Sequence, residues 1–285
     1  MNVAFFGLGA MGEPMARHLL QAGHKVGSII FETSVVANRL QKEHGLIIHP
    51  TPAEAIRTAE VVLTILPDDA DVLNFLISEE LAQAFHPGMI ILEMSSCTPK
   101  TAQTLESFYT PYGVSIVDAP VSGGVMGAQN GKLTVFCSGT SDAQQQVQPV
   151  LEPLAETVYD LGPCGMGKTI KNLDNLLSMY NLMGLCEAYH IAMQSNVDPQ
   201  MFFDVIGSNS GASKALTNRW FNLVNGNFEP GFTLRLARKD IGNALKMGEG
   251  IPLPMSHLLH ELMNAAKIYD NEDVNALRKL FEHEA

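Results

Sequence analysis

The sequence predicts an α/β fold: a doubly wound parallel sheet over residues 1–163, followed by an all-α domain over residues 164–285. Three observations predict it. Short apolar runs alternate with amphipathic ones through the first half, the pattern of parallel strands joined by helices. A glycine-rich turn, Gly7-Leu8-Gly9-Ala10-Met11-Gly12, stands directly after the first apolar run. Beyond about residue 163 strand signals stop, and apolar residues recur close to the helical period.

The expected strands are 3–6, 26–31, 61–66, 89–92, 115–117 and 133–137. A first helix over 14–22 is closed by Gly23, a residue suited to the left-handed position after a helix. Thr51-Pro52-Ala53-Glu54 reads as a capping box with proline at the first helical position. A further helix is expected over 99–108, and the domain boundary falls in Leu161-Gly162-Pro163-Cys164-Gly165. In the second half, residues 168–195 carry Ile170, Leu173, Leu176, Leu177, Tyr180, Met183 and Leu185 at helical spacing. Asp198-Pro199 opens the next helix, and 212–224, 233–249, 254–269 and 274–283 complete the set. Met179, Met183 and Met193 read as core filler, and Trp220 as a packing residue among these helices.

Composition excludes several classes. The chain has 285 residues, 46% apolar and 17% charged, enough to build full cores. Its 30 acidic against 18 basic residues give a formal charge of −12. That balance argues against a nucleic-acid binder and against a polybasic membrane-surface protein. Cys97, Cys137, Cys164 and Cys186 form no C-x-x-C pair, so neither a zinc ribbon nor a dithiol redox site is indicated, and a reducing compartment is expected. No charged leader precedes the first apolar run, and no run approaches the roughly 20 residues of a membrane span. The expectation is a soluble, cytoplasmic, globular protein. No metal site is expected: His257 and His260 are three apart, but no third ligand lies near them.

The glycine turn has the context of a dinucleotide fingerprint, a strand before it and a helix after it, which makes the first domain a Rossmann type. Gly7 allows the tight turn, Gly9 the close approach of backbone to pyrophosphate, and Gly12 the packing of helix on strand. Unpaired N–H groups at the helix start favour the anion. Glu32 stands 20 residues after Gly12, at the end of the second strand, and no arginine follows until Arg39. An acid there bonds the ribose 2′-hydroxyl and repels a 2′-phosphate, so NAD is favoured over NADP. The plainer reading of Glu32 is a solvated loop acid.

Two further segments carry chemistry. Ser122-Gly123-Gly124 offers bare N–H groups beside a hydroxyl, an anion nest suited to a carboxylate; alternatively it is only a turn between strands. Lys171 and Asn175 lie four apart on one helix face, after Gly165-Met166-Gly167. A lysine and an amide side by side suit proton transfer at an alcohol or carbonyl oxygen, although alone they also suit a solvated helix start.

Together these segments resemble the β-hydroxyacid dehydrogenase family, in order and spacing and over essentially the whole chain. Residues 7–15 are similar to its N-terminal signature, 118–134 to its substrate-binding segment and 165–175 to its catalytic segment, and Lys239-Asp240 to its C-terminal Lys-Asp pair. The resemblance implies that Lys171 is the acid/base, that Asn175 orients the substrate hydroxyl, and that Ser122, Gly123 and Gly124 grip the substrate carboxylate. Leu8, Ala10 and Met11 would bind cofactor with the three glycines. Leu66 and Pro67 would line the cofactor cleft, and Ser96 stands where the family usually has threonine near the nicotinamide. Lys239 would reach the cofactor, with Asp240 beside it on the substrate. Two departures stand out: Asp174 replaces a usual Asn or His, and the second strand is about two residues longer than usual, which bears on Glu32. One turn from Lys171, Asp174 is expected to favour the ammonium and so bias the enzyme toward reduction.

The implied reaction is reversible hydride transfer between NAD and a small hydroxy acid or aldehyde acid, in a cleft between the two domains. Neutral Lys171 takes the hydroxyl proton in oxidation; its ammonium donates in reduction and removes the need for a metal. 3-Hydroxyisobutyrate, tartronate semialdehyde or glycerate, and succinate semialdehyde or 4-hydroxybutyrate all fit. A homodimer or homotetramer is expected from apolar helices such as 254–269. Two other readings compete. One is a non-catalytic dinucleotide-binding scaffold, supported by Asp174. The other is an imine reductase on the same fold, against which Lys171 speaks, since the resemblance leads to Asp or Tyr there.

Overall fold

In the computed structural model, which describes residues 1–30 and 34–282, the chain begins with β1 (Asn2–Phe6), α1 (Gly12–Gln21), β2 (Lys25–Ile29), α2 (Ser34–His44), β3 (Ile47–His49), α3 (Pro52–Arg57) and β4 (Val61–Thr64). It continues through α4 (Asp69–Leu76), α5 (Glu79–Ala82), β5 (Ile90–Glu93), α6 (Pro99–Tyr109) and β6 (Ser115–Asp118). These six strands form one wholly parallel sheet in the order β3-β2-β1-β4-β5-β6. The order reverses beside β1, which creates the crevice where doubly wound sheets take ligands, outside the carboxyl ends of the strands.

The central strands are apolar throughout because helices cover both faces. Successive side chains go to opposite cores: Phe5, Leu63 and Leu92 to one, Phe6, Val62 and Ile91 to the other. The capping box forms as expected, with Thr51 Oγ1 accepting from Glu54 N at 3.3 Å. The expected strand 26–31 ends at Ile29, and Glu32 lies outside the described residues.

A second, smaller sheet follows: β7 (Val121–Ser122), α7 (Gly124–Asn130), β8 (Leu133–Cys137), α8 (Ser141–Leu151) and β9 (Ala155–Asp160), with β7 antiparallel and β9 parallel to β8. It is joined to the first by a bridge between Asp118 and Ser138, whose N–H groups each donate to the other's carbonyl, at 2.9 and 2.7 Å.

Helices then take over: α9 (Met166–Gln194), α10 (Pro199–Gly207), α11 (Lys214–Asn225), α12 (Leu234–Met247) and α13 (Pro254–Ala265). Asp198 caps α10, its Oδ1 accepting from Met201 N at 2.8 Å. Trp220 is fully buried, stacked on Phe202 at 4.1 Å between centroids, and its indole N–H donates to Pro199 O at 2.9 Å. Met179 and Met183 are core residues. The final segment, Val274–Phe281, is a 3₁₀ rather than an α-helix. Val274, Asn275, Ala276 and Leu277 are all buried, and four consecutive buried side chains do not make the single stripe of a packed α-helix.

The chain divides into two compact units, Met1–Lys171 and Asn172–Ala285, the division falling within α9. Among the described residues no helix is long and apolar enough to cross a membrane. Among the described residues no disulfide joins the four cysteines. Burial pushes the Cys137, Cys164 and Cys186 thiols up to about 12, so these three stay protonated and are poor nucleophiles.

Candidate active site

The glycine turn leaves the carboxyl end of β1 and enters α1, and its three glycines have three different reasons to be glycine. Gly7 sits at φ +109°, and a Cβ there would lie 2.1 Å from Ile65 O. A Cβ on Gly12 would lie 1.8 Å from Gly7 O, so the helix closes onto the turn only without a side chain. Gly9 is exposed, and a Cβ there would meet nothing within 4 Å. Open space over Gly9 with no steric need for glycine in the protein itself fits a ligand that approaches the backbone at that point. Met11, at the cap position of α1, makes no side-chain cap; in the first turn Glu13 N donates to Gly9 O at 2.9 Å and Pro14 carries no N–H, so the turn itself, with the helix dipole behind it, faces the anion. Glu13, an acid in this first turn, is ion-paired with Arg39 of α2, which offsets its charge where an anion would sit. The turn therefore fits a dinucleotide pyrophosphate.

The next two strand ends in the sheet are fastened together. Leu66 N donates to Ser95 Oγ at 2.8 Å, which links the Leu66-Pro67 segment after β4 to the loop after β5 that carries Ser96. Ser96 is half-buried. Asp69 Oδ1 holds the end of the same loop, accepting from Thr98 N at 2.8 Å and from the hydroxyls of Thr98 and Thr101 at 2.7 and 2.5 Å.

Ser122 ends β7, and Gly123 and Gly124 follow at φ +123° and +60°. Two consecutive glycines in this region leave their N–H groups bare of side-chain shielding. Lys171, on the last turn of α9 within the first unit, is only 7% exposed, and its Nζ lies 5.9 Å from the centroid of the Phe136 ring on β8. That aromatic face suits a cation held away from bulk water.

Sequence reasoning missed one group. Lys168 is fully buried, and its Nζ is ion-paired with Glu93 and, at 2.8 Å, with Asp118 Oδ1. Burial alone would lower this lysine, but Asp118 and Glu93 outweigh it and hold the ammonium well above its ordinary range. The signal was present: Glu93 and Asp118 each close an apolar strand, where an acid is out of place unless something buried pairs with it.

In the second unit, Asn175 Nδ2 donates to Asp240 Oδ2 at 2.6 Å, and Lys239 Nζ lies 3.0 Å from Asp240 Oδ1. Asp240 is 2% exposed and Lys239 half-buried. The carboxylate thus orients both the amide on α9 and the ammonium beside it on α12. Asp174, by contrast, is exposed, where water and salt weaken the pull of a carboxylate on any neighbour. Among the described residues no group of three or more His, Cys, Asp or Glu is arranged to hold a metal.

This geometry has close parallels. Residues 2–162 match the family model of the NAD binding domain of 6-phosphogluconate dehydrogenase, and residues 165–281 that of the NAD-binding domain of NADP-dependent 3-hydroxyisobutyrate dehydrogenase. The chain is 30% identical to 2-(hydroxymethyl)glutarate dehydrogenase of Eubacterium barkeri, over 99% of this chain and 95% of that one. It is also 30% identical to L-threonate dehydrogenase of Cupriavidus necator, over 98% and 96%. A solved structure of 3-hydroxyisobutyrate dehydrogenase from Mycobacterium tuberculosis with L-serine superposes with a TM-score of 0.91 at 27% identity, covering 99% of each chain.

Proposed function

The chain belongs to the β-hydroxyacid dehydrogenase family and is a dinucleotide-dependent oxidoreductase, and from that premise we propose that it interconverts a small β-hydroxy acid and the corresponding aldehyde acid, with Lys171 as the acid/base and NAD as the preferred cofactor. The observation that carries the reading is Lys171 itself: a lysine 7% exposed, on a helix whose next turn presents Asn175 on the same side. Residues 7–12 would hold the pyrophosphate, with Leu66, Pro67, Ser96 and Lys239 around the rest of the cofactor. When bound, the nicotinamide dinucleotide supplies the hydride acceptor in oxidation and the donor in reduction.

The chain's own residues do the remainder. Ser122, Gly123 and Gly124 hold the substrate carboxylate through a hydroxyl and backbone N–H groups. Asn175, with its amide fixed by Asp240, donates to or accepts from the reacting oxygen; Asp240 also borders the substrate. In oxidation Lys171 Nζ, neutral, removes the hydroxyl proton as the C–H bond gives up its hydride. In reduction the ammonium donates to the carbonyl oxygen and stabilises the charge developing there. The relatives' names, 2-(hydroxymethyl)glutarate, L-threonate and 3-hydroxyisobutyrate dehydrogenase, share a hydroxy acid substrate.

Replacing Ser122 with alanine tests the carboxylate grip. A hydrogen bond to a charged group is worth roughly 1.5–3 kcal/mol, so KM for the acid should rise about 10- to 150-fold with kcat less affected. The uncharged amide analogue should be handled equally poorly by both forms. If the variant keeps the wild-type ratio of acid to amide turnover, the carboxylate is held elsewhere.

NAD preference rests on Glu32, read from the sequence, and on Arg39, the first arginine after it, being committed to Glu13. NAD(H) should therefore give the higher kcat/KM, and Glu32→Ala should narrow the gap. Equal or better kcat/KM with NADPH in the wild type would contradict the assignment. Exposed Met255 and Leu258 on α13 support a homo-oligomer, and four cysteines outside any disulfide suit the cytoplasm.

A further inference from the structure

The buried Lys168 is not part of the proton-transfer machinery, yet it ties the ends of β5 and β6, and the loop that carries Ser96, to the helix that carries Lys171. Its Nζ pairs with Glu93 at the end of β5 and with Asp118 at the end of β6, and donates to Ser95 O at 3.1 Å. Glu93 Oε1 in turn accepts from Ser95 N at 2.9 Å, so both backbone groups of Ser95 are held by this cluster, one residue before Ser96. Asp118 Oδ2 accepts from Lys168 N and from Ser138 Oγ, each at 3.0 Å, and Ser138 Oγ accepts from Gly167 N at 2.9 Å. Gly167 is pressed onto the same strand ends: a Cβ there would lie 2.2 Å from Phe136 O and 2.9 Å from Asp118 O. The first turn of α9 is therefore seated on β6 and β8 by backbone contact and locked there by one ammonium. Lys171 is the next turn of that helix.

We infer that Lys168 is a positioning residue, which through Glu93 and Asp118 sets the height and rotation of Lys171 relative to the Ser95-Ser96 loop and the Ser122-Gly123-Gly124 segment. This rests on the reading of Lys171 as the acid/base. A buried ion pair adds little net stability, because desolvation offsets the attraction, but it fixes geometry where three backbone segments must meet. Misplacement of a reacting group by about 1 Å costs on the order of 10²-fold in rate. The contacts named above join the ends of β5, β6 and β8 to α9, whereas the pyrophosphate would be gripped at the end of β1, so NADH binding should change less than kcat.

The test compares the wild type with Lys168→Met/Glu93→Gln, which removes the pair together and leaves Asp118 with its backbone and Ser138 donors, and with Glu93→Asp, which keeps both charges but shortens the link by one methylene. Each is assayed for melting temperature, NADH binding by fluorescence, kcat and the primary deuterium isotope effect on kcat. The double variant should lose about 10- to 100-fold in kcat with a smaller change in NADH binding, and show a larger isotope effect because the chemical step becomes limiting. Glu93→Asp should show a smaller loss of the same kind. A folded double variant with wild-type kcat, or with NADH binding lost in step with kcat, overturns the inference and leaves Lys168 a structural staple. If the double variant does not fold, Glu93→Asp decides: wild-type kcat and isotope effect contradict the inference, and reduced kcat with a raised isotope effect supports it. A wild type that turns over no hydroxy acid refutes the proposed function instead, a result separate from either.

Discussion

Lys171→Ala should lower kcat by about 10²–10⁴-fold, the usual worth of a positioned acid/base, while leaving NADH binding nearly intact. The side chain is almost wholly enclosed and lies against the Phe136 ring, so melting temperatures are needed beside the rates to separate lost chemistry from lost packing. Lys171→Arg separates proton transfer from charge. Arginine stays protonated throughout the working range, so it keeps a positive charge for the developing alkoxide but cannot take a proton from the alcohol. Oxidation by Lys171→Arg should therefore be as poor as by Lys171→Ala. Steady-state rates in both directions, beside melting temperatures and NADH titrations, check this. Oxidation at the wild-type rate by either variant would remove Lys171 from the reaction.

The glycine turn gives the second large effect, and here two neighbouring glycines should behave oppositely. Gly9→Val adds a side chain into open space, so the unliganded protein should melt as the wild type does. The same side chain occupies the approach of the pyrophosphate, and losing one or two hydrogen bonds to a charged group, each roughly 1.5–3 kcal/mol, weakens NADH binding by at least 10- to 100-fold. Gly12→Ala instead drives a Cβ to 1.8 Å from Gly7 O, a backbone atom that cannot rotate away, so it should destabilise the protein even without ligand. Thermal melts with and without NADH separate the two. A Gly9→Val protein that binds NADH normally would place the dinucleotide elsewhere.

Much of this was legible in the sequence because local rules and tertiary structure agree. The apolar runs of β1, β4, β5 and β8 are buried on both faces, so no alternation was needed to find them. Thr51 and Asp198 act through their own neighbours in sequence, and both caps form. β3 was not legible: it has three residues, and Ile47 is 45% exposed at the sheet edge. β9 was missed for a related reason, since AETVYD is half-exposed and carries two acids. α2 has a polar, weakly patterned sequence that pointed to nothing. Lys168 shows the deeper limit. Its partners lie 75 and 50 residues earlier, and only the sheet brings Glu93 and Asp118 to the foot of α9. Lys171 stood out as a candidate from spacing and resemblance, while the lysine one turn before it looked like any solvated residue at a helix start. Asp174 carries the converse lesson: helical spacing alone gave it weight, and its exposure weakens that argument.

The most direct test of the whole account is a progress curve, following the near-ultraviolet absorbance of reduced nicotinamide, for the wild-type protein with NAD or NADP and a panel of small β-hydroxy acids, the matching aldehyde acids, their decarboxylated alcohols and cyclic imines. The account predicts turnover of at least one hydroxy acid or aldehyde acid, none of the alcohols that lack the carboxylate, and none of the imines. Tight NADH binding with no turnover of any acid would contradict it in favour of a non-catalytic scaffold, and turnover confined to the imines would contradict it in favour of an imine reductase.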